Sequence, residues 1–250
     1  MAEQRIGLPL GKLIVAPQYW LAHLSRWNSR RRDRRFDERF GVDTYEPFDE
    51  QDKGGLPAEL RASGLNYVPT SVGMFERIVR HSKVNPRDYD FVDLGSGKGR
   101  TLLLAAKLGF RSVAGVEADA RLARIADSNV RSWVQKRSLI RPTVIEMDAR
   151  QAPLPSGNLF VFMFHPFEGA IFERVAERLA NAAREHGRAL VVAYHNDVCG
   201  DSLERTGAFR RIHVRPLRFW SRPTISLFYN ELAWKKRLRR PRSRWFNGPG

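Results

Sequence analysis

The run Phe91-Val92-Asp93-Leu94-Gly95-Ser96-Gly97-Lys98-Gly99-Arg100 joins an apolar stretch to a glycine-rich turn and then to an apolar helical pattern. Three glycines at alternate positions let a backbone turn sharply and approach a bound group where a Cβ would collide. Three classes of ligand use such a turn. A phosphate-binding P-loop needs Gly, four residues and then Gly-Lys-Ser/Thr, but Val92 stands at its first glycine and Gly99 follows Lys98. A dinucleotide fingerprint, G-x-G-x-x-G, needs Gly or Ala at Arg100 and gives no role to Asp93, two residues before the first glycine. An acid in that place suits a ligand that carries an ammonium group.

Outward from this turn the chain alternates between two periodicities. Apolar strands are predicted at 89–94, 112–117, 143–147, 158–164 and 188–194. Helical patterns lie between them, at 70–82 and 102–108, from Leu122 to Trp133, from Ile171 to Ala182, and at 199–206. Two further strands, at 209–215 and 224–231, bracket Pro216 and Pro223 and suit an antiparallel hairpin at the sheet edge. Strands alternating with helices of this length imply right-handed crossovers and helices on both faces of a sheet. The expected fold class is α/β: a doubly wound, seven-stranded, mostly parallel sheet with a C-terminal antiparallel hairpin and an N-terminal helical extension. Ligands of such sheets bind at the carboxyl ends of the strands, so function should be sought in the loops after strands one to four.

The chain has 250 residues, 42% apolar and 28% charged, a globular composition that excludes an acidic disordered chain. One cysteine, Cys199, excludes an internal disulfide and a thiolate metal site, and no His-rich or Cys-rich spacing suits a metal, so none is expected. No run reaches the roughly 18–20 apolar residues of a spanning helix, and a cytoplasmic protein without a transmembrane segment is expected. Lys and Arg number 43 against 27 Asp and Glu, a net charge of +16. Residues 210–250 hold 12 of the cations and one acid, whereas 51–209 hold 22 and 18. A second patch, seven arginines between Arg26 and Arg39, follows Trp20, Leu21, Leu24 and Trp27, whose spacing predicts a helix over 17–38. Packing of that helix on its own domain is favoured over docking on a membrane surface or partner. Basic segments attract anionic partners, and Arg30–Arg35 and Lys235–Arg244 are placed to do so. Because 35 of the 43 cations are arginine, codon bias is another source of the excess. Three regions result: 1–66, a basic amphipathic helix and loop-rich extension; 67–232, the alternating domain; and 233–250, a basic tail.

The pattern Asp-x-Gly-x-Gly-x-Gly after a first strand, with Gly115-Val116-Glu117 closing the second, resembles the class I S-adenosylmethionine-dependent methyltransferases. The fuller run from Val92 to Arg100 is similar to a bacterial branch of that superfamily and to the non-SET histone lysine methyltransferases. The likeness spans about residues 65–232 and leaves both basic ends outside it. It implies S-adenosylmethionine as cofactor, its methionine end held by Asp93 and the backbone of Gly95, Ser96, Gly97 and Gly99. Glu117, 18 residues after Gly99, would accept hydrogen bonds from both ribose hydroxyls. Asp148, closing the third strand, would accept from the adenine amino group, and Ala149 would add backbone contact. Tyr67, in Tyr67-Val68-Pro69-Thr70, would close over the methionine moiety.

On the acceptor side the resembling branch carries Asn-Pro-Phe where this chain has His165-Pro166-Phe167. An Asn carbonyl orients an attacking amine by accepting its hydrogen; neutral His165 can accept through one ring nitrogen or take a proton near neutral pH. Pro166 and Phe167 would line the acceptor site. His195-Asn196-Asp197 follows the fifth strand and can reach the same crevice or cap the next helix, and His213 has no visible partner. The implied function is in-line methyl transfer to a nitrogen nucleophile, with a protein amine as acceptor. The cationic ends favour an RNA or DNA acceptor instead, although the base-amino motif Asn-Pro-Pro-aromatic is missing. A catalytically idle cofactor-binding module that docks on anionic partners is the remaining alternative.

Overall fold

The computed structural model describes residues 30–46, 67–136, 140–185, 187–214 and 225–239. A helix over 30–40 (α1) opens the described chain. The alternating domain follows as α2 (Val72–Ser82), β1 (Asp90–Leu94), α3 (Arg100–Leu108), β2 (Ser112–Glu117), α4 (Ala120–Lys136) and β3 (Thr143–Glu146). It continues with β4 (Leu159–Phe164), α5 (Gly169–Arg184), β5 (Leu190–His195), α6 (Gly200–Arg205), β6 (Arg210–Val214), β7 (Ile225–Tyr229) and α7 (Glu231–Arg239). Of the helix predicted over 17–38, residues 17–29 lie outside the described residues, as do the connection 215–224 and the tail from 240 onward.

The seven strands run in the order β3-β2-β1-β4-β5-β7-β6. β1 to β5 pair in parallel, and β7 is antiparallel to both β5 and β6. This is the sheet of the class I methyltransferase fold, a doubly wound α/β arrangement as the sequence pattern implies. Within the predicted hairpin β7 takes the inner place. Its five residues, Ile-Ser-Leu-Phe-Tyr, are all buried, whereas β6 reads Arg-Arg-Ile-His-Val and buries only Val214. An edge strand tolerates arginines along its length and an interior strand does not.

β4, Leu-Phe-Val-Phe-Met-Phe, pins the centre because both of its faces are covered. Phe160 and Phe162 pack with Phe75, Phe91 and Phe110 beneath α1 to α4, while Val161 and Met163 join Val92, Val192 and Phe172 beneath α5 and α6. Each such side chain contributes about 1.5–3 kcal/mol on full burial.

Both flanking regions reach into this core. α1 buries Phe36 and Phe40 against Trp133, with ring centroids 6.1 and 4.5 Å away. At the other end, where the sequence suggested only a tail, α7 begins on a cap. Buried Asn230 accepts from Ala233 N and Leu190 N, both at 3.0 Å, and donates to the carbonyls of Ala183 and Arg188. Asn followed by Glu231 is the local signal of that helix start.

Candidate functional site

The glycine turn folds over the carboxyl end of β1. Gly95 and Ser96 donate to the Val116 carbonyl at 2.9 and 3.1 Å, and Gly97 N–H donates to Glu117 Oε2 at 2.7 Å. Gly95, Gly97 and Gly99 all lie at positive φ, +86°, +53° and +81°. A Cβ on Gly95 would fall inside contact of Pro166 Cβ, and one on Gly97 inside the ring of Tyr67. The turn is thus closed between the β4-end motif and Tyr67, three sequence candidates in one place. The Ser96 hydroxyl points against β2, 2.7 Å from where a Gly115 Cβ would sit, and has no hydrogen-bond partner, so its contribution toward the crevice is backbone.

Asp93 lies beneath the turn, 2% exposed. One carboxylate oxygen accepts from Thr101 Oγ1, and the other has no hydrogen-bond partner. Burial pushes its pKa well above the usual carboxylate range, the Thr101 bond opposes this, and the Glu117 charge adds to it. Glu117, also raised by burial, accepts from Gly97 N and from Asp119 N at 2.9 Å; each oxygen keeps a lone pair for a hydroxyl. An orphaned buried carboxylate oxygen beside a cradle that any Cβ would fill fits the ammonium-bearing end of S-adenosylmethionine.

Asp148 and Ala149 sit beside this crevice, since Met147 N donates to the Glu117 carbonyl at 3.0 Å. The Asp148 carboxylate is engaged by Arg150, through backbone N at 2.8 Å and side-chain Nε at 2.9 Å. Burial works to raise its pKa, but the Arg150 hydrogen bonds and charge outweigh it and hold the carboxyl below its ordinary value. An adenine amino group would share Asp148 with that arginine.

A strap from the N-terminal region closes the outside of the turn. Arg100, 2% exposed, donates to Thr44 Oγ1 at 2.8 Å and pairs with Asp33 and Asp37, each at 3.3 Å. Lys98 pairs with Asp43 at 2.9 Å, and Asn129 donates to the carbonyls of both Asp43 and Lys98. Tyr67 donates its hydroxyl to the Thr44 carbonyl at 2.7 Å, and burial raises its pKa. Sequence reasoning did not place 30–46 at the site. The signal was present in Lys98 and Arg100, two cations at a turn that needs no charge of its own.

On the acceptor side His165 takes φ +40°, in the left-handed region where Asn and His are enriched among non-glycine residues. That tolerance explains how a histidine can hold this strand-end position. Its Nδ1 lies 2.8 Å from the Tyr194 hydroxyl and its Nε2 lies 2.7 Å from Glu168 Oε1. A carboxylate only accepts, so Nε2 carries the hydrogen and the ring is fixed at both ends. Glu168, with its side chain half exposed, is a site residue the sequence stretch contained but did not single out. Phe167 turns into the core against Phe172, and Pro166 alone of that pair borders the glycine turn.

His195 follows on β5, opposite Phe164, its ring stacked on that phenylalanine at 3.9 Å between centroids. Both ring nitrogens are buried without a hydrogen-bond partner among the described residues. Asp197 pairs with Arg211 on β6, the N-cap position of α6 is Cys199, which makes no side-chain cap, and His213 meets Ser226 Oγ at 2.9 Å. Burial lowers the His195 pKa from 6.5 to about 4. As pH falls from 6.5 to about 4, the unfolded chain takes up a proton the folded chain refuses, so stability is lost over that window. The loss amounts to ~3 kcal/mol at its acid end. Urea midpoints at neutral pH and at about pH 4.5 should therefore diverge more for the native protein than for His195→Gln. Raised carboxylates such as Asp93 act in the opposite sense but are common to both proteins. Equal pH dependence in the two would refute the assignment.

Among the described residues no helix is long and apolar enough to cross a membrane, and no cluster of His, Cys, Asp or Glu could hold a metal ion. Sheet order, glycine turn and strand-end acids together define a Rossmann-like α/β domain of the class I methyltransferase fold. Solved structures similar to it include precorrin-6y C5,15-methyltransferase from Geobacter metallireducens, 14% identical over 72% of this chain and 95% of that one, TM-score 0.46. Ribosomal protein L11 methylase from Lactobacillus delbrueckii is 13% identical, covering 62% and 76%, TM-score 0.45. An RNA methyltransferase from Salinibacter ruber in complex with S-adenosyl-L-homocysteine is 17% identical, covering 65% and 92%, TM-score 0.43. At these identities the similarity is one of fold. No protein-family model matches the chain, and no curated protein does.

Proposed function

We propose that the protein is an S-adenosylmethionine-dependent methyltransferase that transfers a methyl group in line to a nitrogen nucleophile, with a protein amine as acceptor. The observation that carries this is Asp93, a buried carboxylate with one oxygen unpartnered beside three left-handed glycines. Such a group favours a cation next to it, and the cofactor's amino group is one. Asp93 and the backbone of Gly95 to Gly99 would hold the methionine end, Glu117 the ribose, Asp148 and Ala149 the adenine, with Tyr67 over the turn. When bound, the cofactor supplies an electrophilic methyl group on a sulfonium.

The protein's part is to align the nucleophile and exclude water, which can supply ~7–11 kcal/mol of a barrier in favourable cases. His165 acts through Glu168: the ring holds that carboxylate at 2.7 Å, and its free lone pairs accept the hydrogen of an incoming amine. The role of an asparagine carbonyl thereby passes to a carboxylate. The protein-amine acceptor rests on the likeness to the non-SET lysine methyltransferases.

Calorimetry with S-adenosylhomocysteine tests the first step, and Asp93→Asn should weaken binding at least ~10-fold by removing a charge-assisted contact. Labelled S-adenosylmethionine with a lysate separated into protein, nucleic acid and small molecules tests the second. The label is expected in the protein fraction, and Glu168→Gln should reduce it while leaving S-adenosylhomocysteine affinity unchanged. No binding by the folded protein at millimolar ligand would sink the whole proposal. Label in nucleic acid would replace the acceptor, and binding without label in any fraction would leave an idle module.

A further inference from the structure

A second concavity lies at the opposite end of the sheet from the glycine turn. It has a volume of about 320 Å³ and is lined by residues from the end of α2, the approach to β1, the start of β4, the end of β7, and α7. Asp88 and Tyr89 border it just before β1, while Gly95 follows that strand, so five residues of strand separate the two places. At ~3.3 Å per residue this is roughly 15–20 Å.

Four cations, Lys83, Lys236, Arg237 and Arg239, face this space against one carboxylate, Asp88. Their hydrogen bonds do not neutralise them. Lys236 donates to Asn158 Oδ1 at 3.2 Å, and Arg237 donates to the His81 carbonyl at 2.6 Å and to the Tyr229 hydroxyl at 3.1 Å. These acceptors are neutral, and none of the four cations has a carboxylate partner among the described residues. Elsewhere on the surface Arg111, Arg131, Arg174 and Arg205 are each paired with an acid. A recess lined predominantly by one sign of charge with low-dielectric walls concentrates field and draws in anions. Arg240, Arg242 and Arg244 continue the charge in sequence, with Trp245 and Phe246 after them.

We propose that this concavity binds the phosphate backbone of a nucleic acid, as an anchoring site separate from the glycine-turn crevice. The proposal stands on these contacts and is independent of methyl transfer. Cations that are oriented but not neutralised suit phosphodiester oxygens, which accept hydrogen bonds and release counterions on binding. A recess admits single phosphates of a flexible strand. A bilayer surface is too broad to enter the recess, and α7 exposes only one large apolar side chain, Leu238, that could insert into it.

Fluorescence anisotropy of the full-length chain with a labelled single-stranded oligouridylate, measured across a salt series, provides the test. Lys236→Gln/Arg239→Gln should weaken binding at least ~10-fold near 100 mM salt and lower the slope of log affinity against log salt by about 1.4, the single-strand value for two phosphate contacts. The control Arg131→Gln/Arg174→Gln removes equal charge from two exposed helix positions and should change affinity by less than about twofold. S-adenosylhomocysteine affinity should be unchanged in both variants, since neither touches the crevice. Equal weakening by the control pair would reduce the effect to net charge and overturn the site. So would absence of RNA binding, including the case in which the protein binds phosphatidylserine vesicles instead.

Discussion

Gly95→Ala should weaken S-adenosylhomocysteine binding at least ~100-fold, whereas Gly109→Ala should leave it within about twofold. Both glycines are left-handed, at φ +86° and +80°, so both substitutions incur the same backbone strain. That strain is about 1–2 kcal/mol. Their surroundings differ. Nothing lies within 4 Å of a Cβ on Gly109, while one on Gly95 would overlap Pro166 Cβ and meet Pro166 Cγ at 3.2 Å. Pro166 has little freedom to yield: its ring is closed on the backbone, and the preceding His165 is tied at both nitrogens to Tyr194 and Glu168. The turn must move instead, carrying Gly97 off Glu117 and the cradle off Asp93. A ~100-fold loss of affinity is ~2.8 kcal/mol, no more than the loss of a few directional contacts when the cradle shifts. Calorimetry beside thermal midpoints separates the two effects. Matching midpoints with unequal affinity would locate the binding surface at Gly95. Equal affinity in both variants would remove the turn from the site.

What the sequence made legible was local or periodic. The turn could be read because Asp93 and its glycines lie within seven residues, and β4 because an unbroken apolar run announces two covered faces. The hairpin was legible from its prolines, and the inner place of β7 follows from comparing five buried residues with an arginine-bearing neighbour. The contacts that complete the site have no such signature. Arg100 meets Asp37 across 63 residues, and His165 meets Tyr194 across 29, through the register of β4 on β5. No periodicity encodes which cation answers which acid. Asp148 differs in the other direction: Arg150, only two residues away, holds its carboxylate, and an acid closing a strand does not announce which neighbouring side chain shares it. Phe167 sits in a strand-end motif, and the packing of Phe172 decided which way it turned.

The buried arginine carries the second large effect. Arg100→Met should lower stability by about 3–5 kcal/mol, because it leaves acids without the cation they were buried beside. Asp33 already stands above its ordinary pKa: burial raises it, and the Val72 N–H and the charges of Arg100 and Arg32 only partly offset that. Removing Arg100 raises it further, since one of the three offsets disappears. A carboxylate whose folded pKa is raised stabilises the fold below its unfolded pKa, and this is lost as pH rises through the folded value. The deficit of Arg100→Met should therefore be smaller near pH 5 than near pH 8, which urea midpoints at the two pH values will read. Adding Asp33→Asn and Asp37→Asn should recover part of the loss and flatten that dependence, because the amides need no counter-charge and still accept from Val72, Thr44 and Tyr45. The same bonds tie 41–46 to the glycine turn through Thr44, so the single variant should also bind S-adenosylhomocysteine more weakly than its stability loss alone explains. A loss below ~1 kcal/mol with no pH dependence would mean that the arginine is solvated rather than buried between the two acids, and the strap would then have no hold on the turn.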